Sequence, residues 1–140
     1  MSAWHAEHAT DAAASATAVW KRCYADASAW SKWNPEIREA SLEGPFEVGT
    51  VANVRFRTGA RLRFTLVEVE RERVFTDEAR LPGARLGHRH VIEPSGDGVR
   101  LINRLYLDGP LARLYALLVG RRARRALPEM QRLIAELARS

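Results

Sequence analysis

The chain has 140 residues, 46% hydrophobic and 28% charged, with a formal net charge of +5, which fits one globular domain spanning 1–140 and excludes a disordered tail protein. No apolar run approaches the ~20 residues of a membrane helix, and the opening "MSAWHAEHATD" lacks a basic stretch followed by an apolar one, so neither a membrane span nor a secretory leader is expected. The one cysteine, Cys23, excludes an intrachain disulfide and makes a cytoplasmic setting the simplest expectation.

The first element is a strand in "AWHAEHATDA". Ser15 then caps a helix over "ATAVWKRCYADA", whose Val19, Trp20 and Cys23 recur at helical spacing and make the thiol a packed, inert group. Trp30 and Trp33 in "SAWSKWNPEI" share a face if that piece is helical, and Asn34-Pro35 ends it, because the residue before proline leaves the helical region. From Glu36 to Leu107 come six short runs rich in β-branched and aromatic residues, divided by Glu-Gly-Pro, Thr-Gly, Pro-Gly and Ser-Gly-Asp-Gly. Turns at that frequency imply antiparallel strands, with "PSGDG" a hairpin turn. Gly109-Pro110 stops the last strand and opens a long helix.

That helix carries a stripe of Ala112, Ala116, Val119, Ala123, Leu127, Met130, Ile134 and Leu137. Leu111, Leu114, Tyr115, Leu117 and Leu118 widen it, so the first half is expected to be buried on more than one side. Pro128 is expected to kink the helix between Arg124 and Pro128. The run "GRRARR" places Arg121, Arg122, Arg124 and Arg125 off the stripe. They are solvated flanks on one reading and a contact for an anionic membrane surface on the other. The fold class that follows is α+β: one antiparallel sheet with one face to cover, and one long helix to cover it.

"W-x-x-W-N-P-x-I" (Trp30, Trp33, Asn34, Pro35, Ile37), "LEGPFEVGT", "H-R-x-x-x-E-P", "GDG-V-R-L" and "GPLA" before the last helix resemble, in content and order, the START-like helix-grip (SRPBCC) superfamily, in its polyketide cyclase/dehydrase and lipid-transport-like branch. The resemblance implies a seven-stranded antiparallel sheet curved around the C-terminal helix, two short helices after strand 1, and an apolar cavity between sheet and helix. No metal and no bound cofactor are expected. Its members bind lipids, sterols, polyketides, hormones or quinones, and a minority cyclise or dehydrate what they hold.

The stretch "GHRHVIE" tests for chemistry. His88 and His90 resemble part of a cupin metal motif, yet Glu93 follows too soon, points to the opposite face from His90, and no histidine lies further on. Alternation puts Arg89 and Glu93 outside and His88, His90 and Ile92 inside. On the next strand it turns Leu101, Asn103, Leu105 and Leu107 inward, which sets Asn103 and Leu105 near the two histidines, with Tyr115 and Leu118 opposite on the helix. His88 and His90 are candidate acid/base groups; ligand hydrogen bonding and plain packing are the other readings. The resemblance adds Trp30 and Trp33 at the cavity mouth, where anchoring the short helix is the alternative, and a cavity arginine, for which Arg55 and Arg63 are candidates and exposure the alternative. Phe56 flanks Arg55 and completes the binding candidates.

The expected function is binding of a hydrophobic small molecule (lipid, polyketide or quinone-like) by a monomer or homodimer, with no nucleic acid involved. Its rivals are a cofactor-free polyketide cyclase or dehydratase and a surface module acting through the 121–125 arginines.

Overall fold

The computed structural model describes residues 3–139. Strand β1 (Trp4–Ala12) leads to α1 (Ala16–Val19), a π-helical turn (Trp20–Tyr24), a 3-10 turn (Ala27–Ala29) and α2 (Trp30–Trp33). Six strands follow, β2 (Ile37–Leu42), β3 (Val51–Phe56), β4 (Arg61–Glu70), β5 (Val74–Leu81), β6 (Ala84–Ser95) and β7 (Gly98–Asp108). The chain ends in a helical run made of α3 (Ala112–Tyr115), a π-helical turn (Ala116–Gly120) and α4 (Arg121–Arg139). The seven strands form one antiparallel sheet in the order β1-β7-β6-β5-β4-β3-β2, with the C-terminal helix across one face. No described helix is long and apolar enough to cross a membrane.

Local signals explain most boundaries. Ser15 Oγ accepts from the Ala18 amide at 3.0 Å, satisfying one of the orphan donors of α1. Asn34 sits in extended conformation directly after α2, as Pro35 demands. The β6–β7 hairpin closes on the pair Ser95 and Gly98, with Gly96 at φ 57 in its first central position. Register shifts at Ile37/Glu39 and Leu66/Glu68 mark bulges in β2 and β4, which bend the sheet toward the helix.

Three local expectations are corrected. The first helix is regular only to Val19; from Trp20 it widens into a π turn. That turn leaves the carbonyls of Cys23 and Tyr24 to the indole N–H groups of Trp33 and Trp30, each at 2.9 Å. The C-terminal helix is not regular over its first turns: α4 contains Pro128, and a π turn interrupts the run before it, at Ala116–Gly120. Its first half is also not buried on several sides. Leu117 is 84% and Leu118 70% exposed, with Leu111, Leu114 and Val119 exposed as well, because no described element reaches over that side.

The interior divides along the helix. Leu127, Ile134 and Ala138 are buried with Val19, Cys23, Val99 and Leu101 in a filled core. Cys23 donates to the Ile134 carbonyl and burial pushes its thiol up to about 12, so the thiol stays protonated and inert. Over β3 to β6 the sheet and helix part, and the space between them is a cavity.

Candidate functional site

The cavity has a volume of about 390 Å³. Its floor is the inward face of β3 to β7, including Val54, Phe64, Phe75, Leu86 and Leu105; Trp30 and Trp33 wall one side and Val119, Ala123 and Met130 roof it. The lining residues that retain solvent exposure include Glu36, Phe56, Thr58 and Arg122, so the opening lies there. Glu36 and Arg122 are salt-bridged across it at 3.0 Å. At its edge the Tyr115 hydroxyl donates to the Pro82 carbonyl at 2.8 Å.

Two neighbouring rungs of the sheet supply the polar groups. One reads Leu66–Asp77–His88–Leu105 across β4, β5, β6 and β7, and the other places Phe75, His90 and Asn103 side by side. The period-two alternation that carries Phe75 and Ala79 inward carries Asp77 with them. All of Asp77, His88, His90 and Asn103 are buried.

His90 is held from every side. Its ring stacks on Phe75 at 4.3 Å and meets Trp33 and Tyr24 at 5.4 and 5.1 Å. The Gln131 amide nitrogen donates to the carbonyls of Leu101 and His8 at 2.8 and 3.1 Å. Gln131 Oε1 therefore faces Asn103 Nδ2, which donates to it at 2.8 Å. Asn103 Oδ1 is then left to His90 Nδ1 at 2.6 Å. Since an amide oxygen only accepts, His90 carries its proton on Nδ1 and keeps its lone pair on Nε2. Two backbone carbonyls thus set a histidine tautomer three hydrogen bonds away.

His88 lies 3.8 Å from His90, ring centre to ring centre, and its Nε2 is buried with no hydrogen-bond partner among the described residues. Burial drives His88 down to about 3. Burial, with His88 alongside, takes His90 well below the ordinary histidine value, against the Asn103 hydrogen bond. Both rings are neutral at physiological pH. Asp77 moves the other way: burial between Leu66 and His88 pushes it up to about 7, opposed by its own backbone amide and aided by Glu78. A carboxyl that titrates near neutrality therefore sits beside a neutral, unpartnered imidazole in an apolar chamber. Such a pair can donate to, accept from, or exchange a proton with one oxygenated end of a bound molecule.

Of the residues singled out from sequence, Trp30, Trp33, Phe56, His88, His90, Leu105 and Tyr115 line the cavity. Asn103 stands behind the wall and acts through His90. Arg55 and Arg63 lie outside it, because both alternate with inward residues of their strands; Arg55 pairs with Glu39 at 3.8 Å and Arg63 with Glu43 at 3.0 Å. Leu118 is turned to the outer surface by the π turn, beside Leu117 and Arg121. Sequence reasoning missed Asp77, Glu36 and Arg122. The alternation Phe75, Asp77, Ala79, Leu81 carried the first of these, whereas the Glu36–Arg122 bridge joins positions far apart in the chain.

The family model described as polyketide cyclase / dehydrase and lipid transport matches residues 3–139. No curated protein matches the chain in sequence. Among solved structures, truncated norcoclaurine synthase from Thalictrum flavum aligns with TM-score 0.69 and 18% identity, over 96% of this chain and 92% of that one. Protein MLL2253 from Mesorhizobium loti gives 0.76 and 13%, over 96% of each chain. The di-domain ARO/CYC StfQ of the steffimycin biosynthetic pathway gives 0.75 and 14%, over 96% of this chain and 50% of that one. At these identities the likeness is one of fold.

Proposed function

The chain belongs to the polyketide cyclase / dehydrase and lipid transport family, and from that premise we propose that it binds one small, largely apolar molecule that carries an oxygen function at one end. The carrying observation is the pairing of an apolar chamber of about 390 Å³ with a single polar spot, Asp77 and His88. That volume is at the lower end of the roughly 300–1,000 Å³ of small-molecule pockets. The apolar body of the ligand packs against Phe64, Phe75, Leu86 and Trp30. Its hydroxyl or carbonyl meets Asp77 and the unpartnered His88 Nε2, which otherwise costs the fold an unsatisfied buried polar atom.

The test is native mass spectrometry of gently purified protein beside displacement of Nile red. A co-purifying ligand, or saturable probe binding that Ala123→Trp abolishes by filling the cavity from the helix side, supports the reading. No ligand, together with probe binding that Ala123→Trp leaves intact, sinks it.

A second reading, a cyclase- or dehydratase-like enzyme, is favoured by one observation, the titration of Asp77 near neutrality. Ring closure of a β-ketone chain followed by loss of water needs a base to take an α-proton and an acid to return it to the departing hydroxyl. Asp77 fits both steps. His88 and His90 fit less well, since burial disfavours the imidazolium that a histidine acid/base must pass through. In this reading Asp77→Asn keeps probe binding and loses turnover of a β-ketone test substrate; turnover that survives removes Asp77 from the chemistry.

A further inference from the structure

We propose that the outer face of residues 111–125 docks on an anionic lipid bilayer. Two independent features of that face point to the same occupant. The first is apolar: Leu114, Leu117 and Leu118 project from α3 and the π turn into solvent, with Leu111 and Val119 exposed at their margins. Folded proteins rarely leave so many large apolar side chains together in water without a partner for them.

The second feature is charge. Between Asp108 and Glu129 the chain holds five arginines, Arg113, Arg121, Arg122, Arg124 and Arg125, and no acidic residue. Arg122 is occupied by Glu36 and Arg124 lies over the Trp4 ring at 5.7 Å. Arg113, Arg121 and Arg125 are exposed and have no acidic partner among the described residues. Leu114, Leu118, Arg121 and Arg125 follow one another at spacings of four, three and four, so leucines and arginines occupy one side of the helix. Leucines that enter the acyl boundary and arginines that meet anionic headgroups are what an interfacial helix requires.

The alternatives match half of this face each. A second copy docking by two-fold symmetry covers the leucines and sets arginine against arginine. A nucleic acid satisfies the arginines and gives three leucines nothing to do, since bases stack on aromatic rings. A bilayer with anionic headgroups takes both. The same turn of helix that presents Leu117 and Leu118 outward places Tyr115, Val119 and Arg122 on the cavity opening. Docking therefore brings the mouth of the cavity to the lipid surface. The docking itself rests on the outer face alone and stands whether or not the cavity holds a ligand.

The experiment is sedimentation of the full chain with phosphatidylcholine vesicles, with and without phosphatidylglycerol. Binding is expected with phosphatidylglycerol at low ionic strength, weaker in high salt, and absent with phosphatidylcholine alone. Arg121→Glu with Arg125→Glu weakens it by at least about 25-fold, fivefold for each arginine lost. Leu117→Glu with Leu118→Glu removes it. All four positions are exposed, and far-UV melting curves matching wild type are expected for both pairs. Because Cys23 is buried and its thiol protonated, an environment-sensitive dye at Leu117→Cys labels one site, and its emission shifts to the blue on anionic vesicles. Absence of wild-type binding at low salt, equal binding by either pair, or an unshifted dye overturns the proposal. So does a wild-type dimer that Leu117→Glu with Leu118→Glu dissociates while no vesicle binding is seen, since a second copy then owns the face.

Discussion

The C-terminal helix lies over two different interiors. Its second half, from Leu127 onward, presses Leu127, Ile134 and Ala138 into a filled core, and its exposed charges answer one another: Arg132 reaches Glu129 at 2.5 Å and Glu136 at 2.6 Å. Its first half roofs a cavity, leaves leucines in water, and carries arginines that mostly lack acidic partners among the described residues. One half is specified for the stability of the domain. The other gives up packing on its inner side and leaves apolar side chains in water on its outer side, and the proposed ligand and the proposed bilayer are readings of these two concessions. Gln131, one turn past Leu127, marks the seam between them: its hydrogen bonds to His8, Leu101 and Asn103 stitch the helix to the sheet beside the cavity wall.

Truncation on the two sides of that seam separates them most strongly. Ile134 is fully buried, so Ile134→Ala removes its transfer free energy and leaves a new void, a loss of about 4 kcal/mol. Val119 already borders empty space and is half exposed. Val119→Ala opens no new void and gains helix propensity, so its change stays within about 0.5 kcal/mol. Urea unfolding of the two variants measures the difference. Similar losses for both would mean that the chamber collapses around its roof and that the halves are equivalent.

How far the sequence reaches follows the same division. Strand alternation puts His88, His90 and Asn103 inside from their spacing alone, because each has apolar neighbours two residues away in a strand one face of which is buried. Ser15 and Asn34-Pro35 mark their helix ends through local hydrogen bonding and sterics, which are properties of adjacent residues. The two π turns are not marked in this way: Trp20–Tyr24 and Ala116–Gly120 have ordinary helix-forming composition, and one extra residue per turn leaves no signature in it. The exposed leucines are read wrongly for a related reason. A run apolar on all sides reports that something covers it, without reporting whether that cover is part of the same chain. Arg55 and Arg63 are ambiguous in the sequence because Glu39 and Glu43, which pair with them, come beside them only when β2, β3 and β4 assemble.

The seam itself is tested by Asn103→Leu. The variant leaves the His90 Nδ1–H without its acceptor and Gln131 Oε1 without its donor in a dry interior, at a cost of about 3 kcal/mol for two unsatisfied groups. A second readout separates this from simple misfit. In the wild type, nitrogen NMR is expected to find the His90 proton on Nδ1; in the variant nothing holds it there, and the commoner Nε2–H form grows. A variant that is destabilised with an unchanged tautomer would show that the chain of amides does not govern His90.

The smallest effect expected is also the one that reports on the hollow side directly. Asp77 titrates at about 7 in the folded chain against an ordinary 3.8, so between those values the folded state binds more protons than the unfolded state. Stability then falls as pH rises from about 4 to 7, and stays low above it. The histidines work in the opposite sense over an overlapping range, because His88 titrates at about 3 when folded and 6.5 when unfolded; their contribution is complete above 6.5 and is lost as pH falls. In the wild type the one carboxyl offsets only part of the trend of the two histidines, so stability still falls from pH 7 to 4, less steeply than the histidines alone would make it. Asp77→Asn removes only the carboxyl trend. A shift of three pKa units corresponds to at most about 4 kcal/mol, and an open chamber lets water reach the ionised carboxylate, so a gain of about 2 kcal/mol over wild type is expected above pH 7, shrinking to nothing near pH 4. The variant should then lose stability on acidification more steeply than the wild type, as the neutral histidines titrate without opposition. A gain that is the same at every pH would trace to packing and leave Asp77 an ordinary surface-like carboxylate; a gain confined to high pH ties the polar spot of the cavity to a group that the fold holds at its own expense.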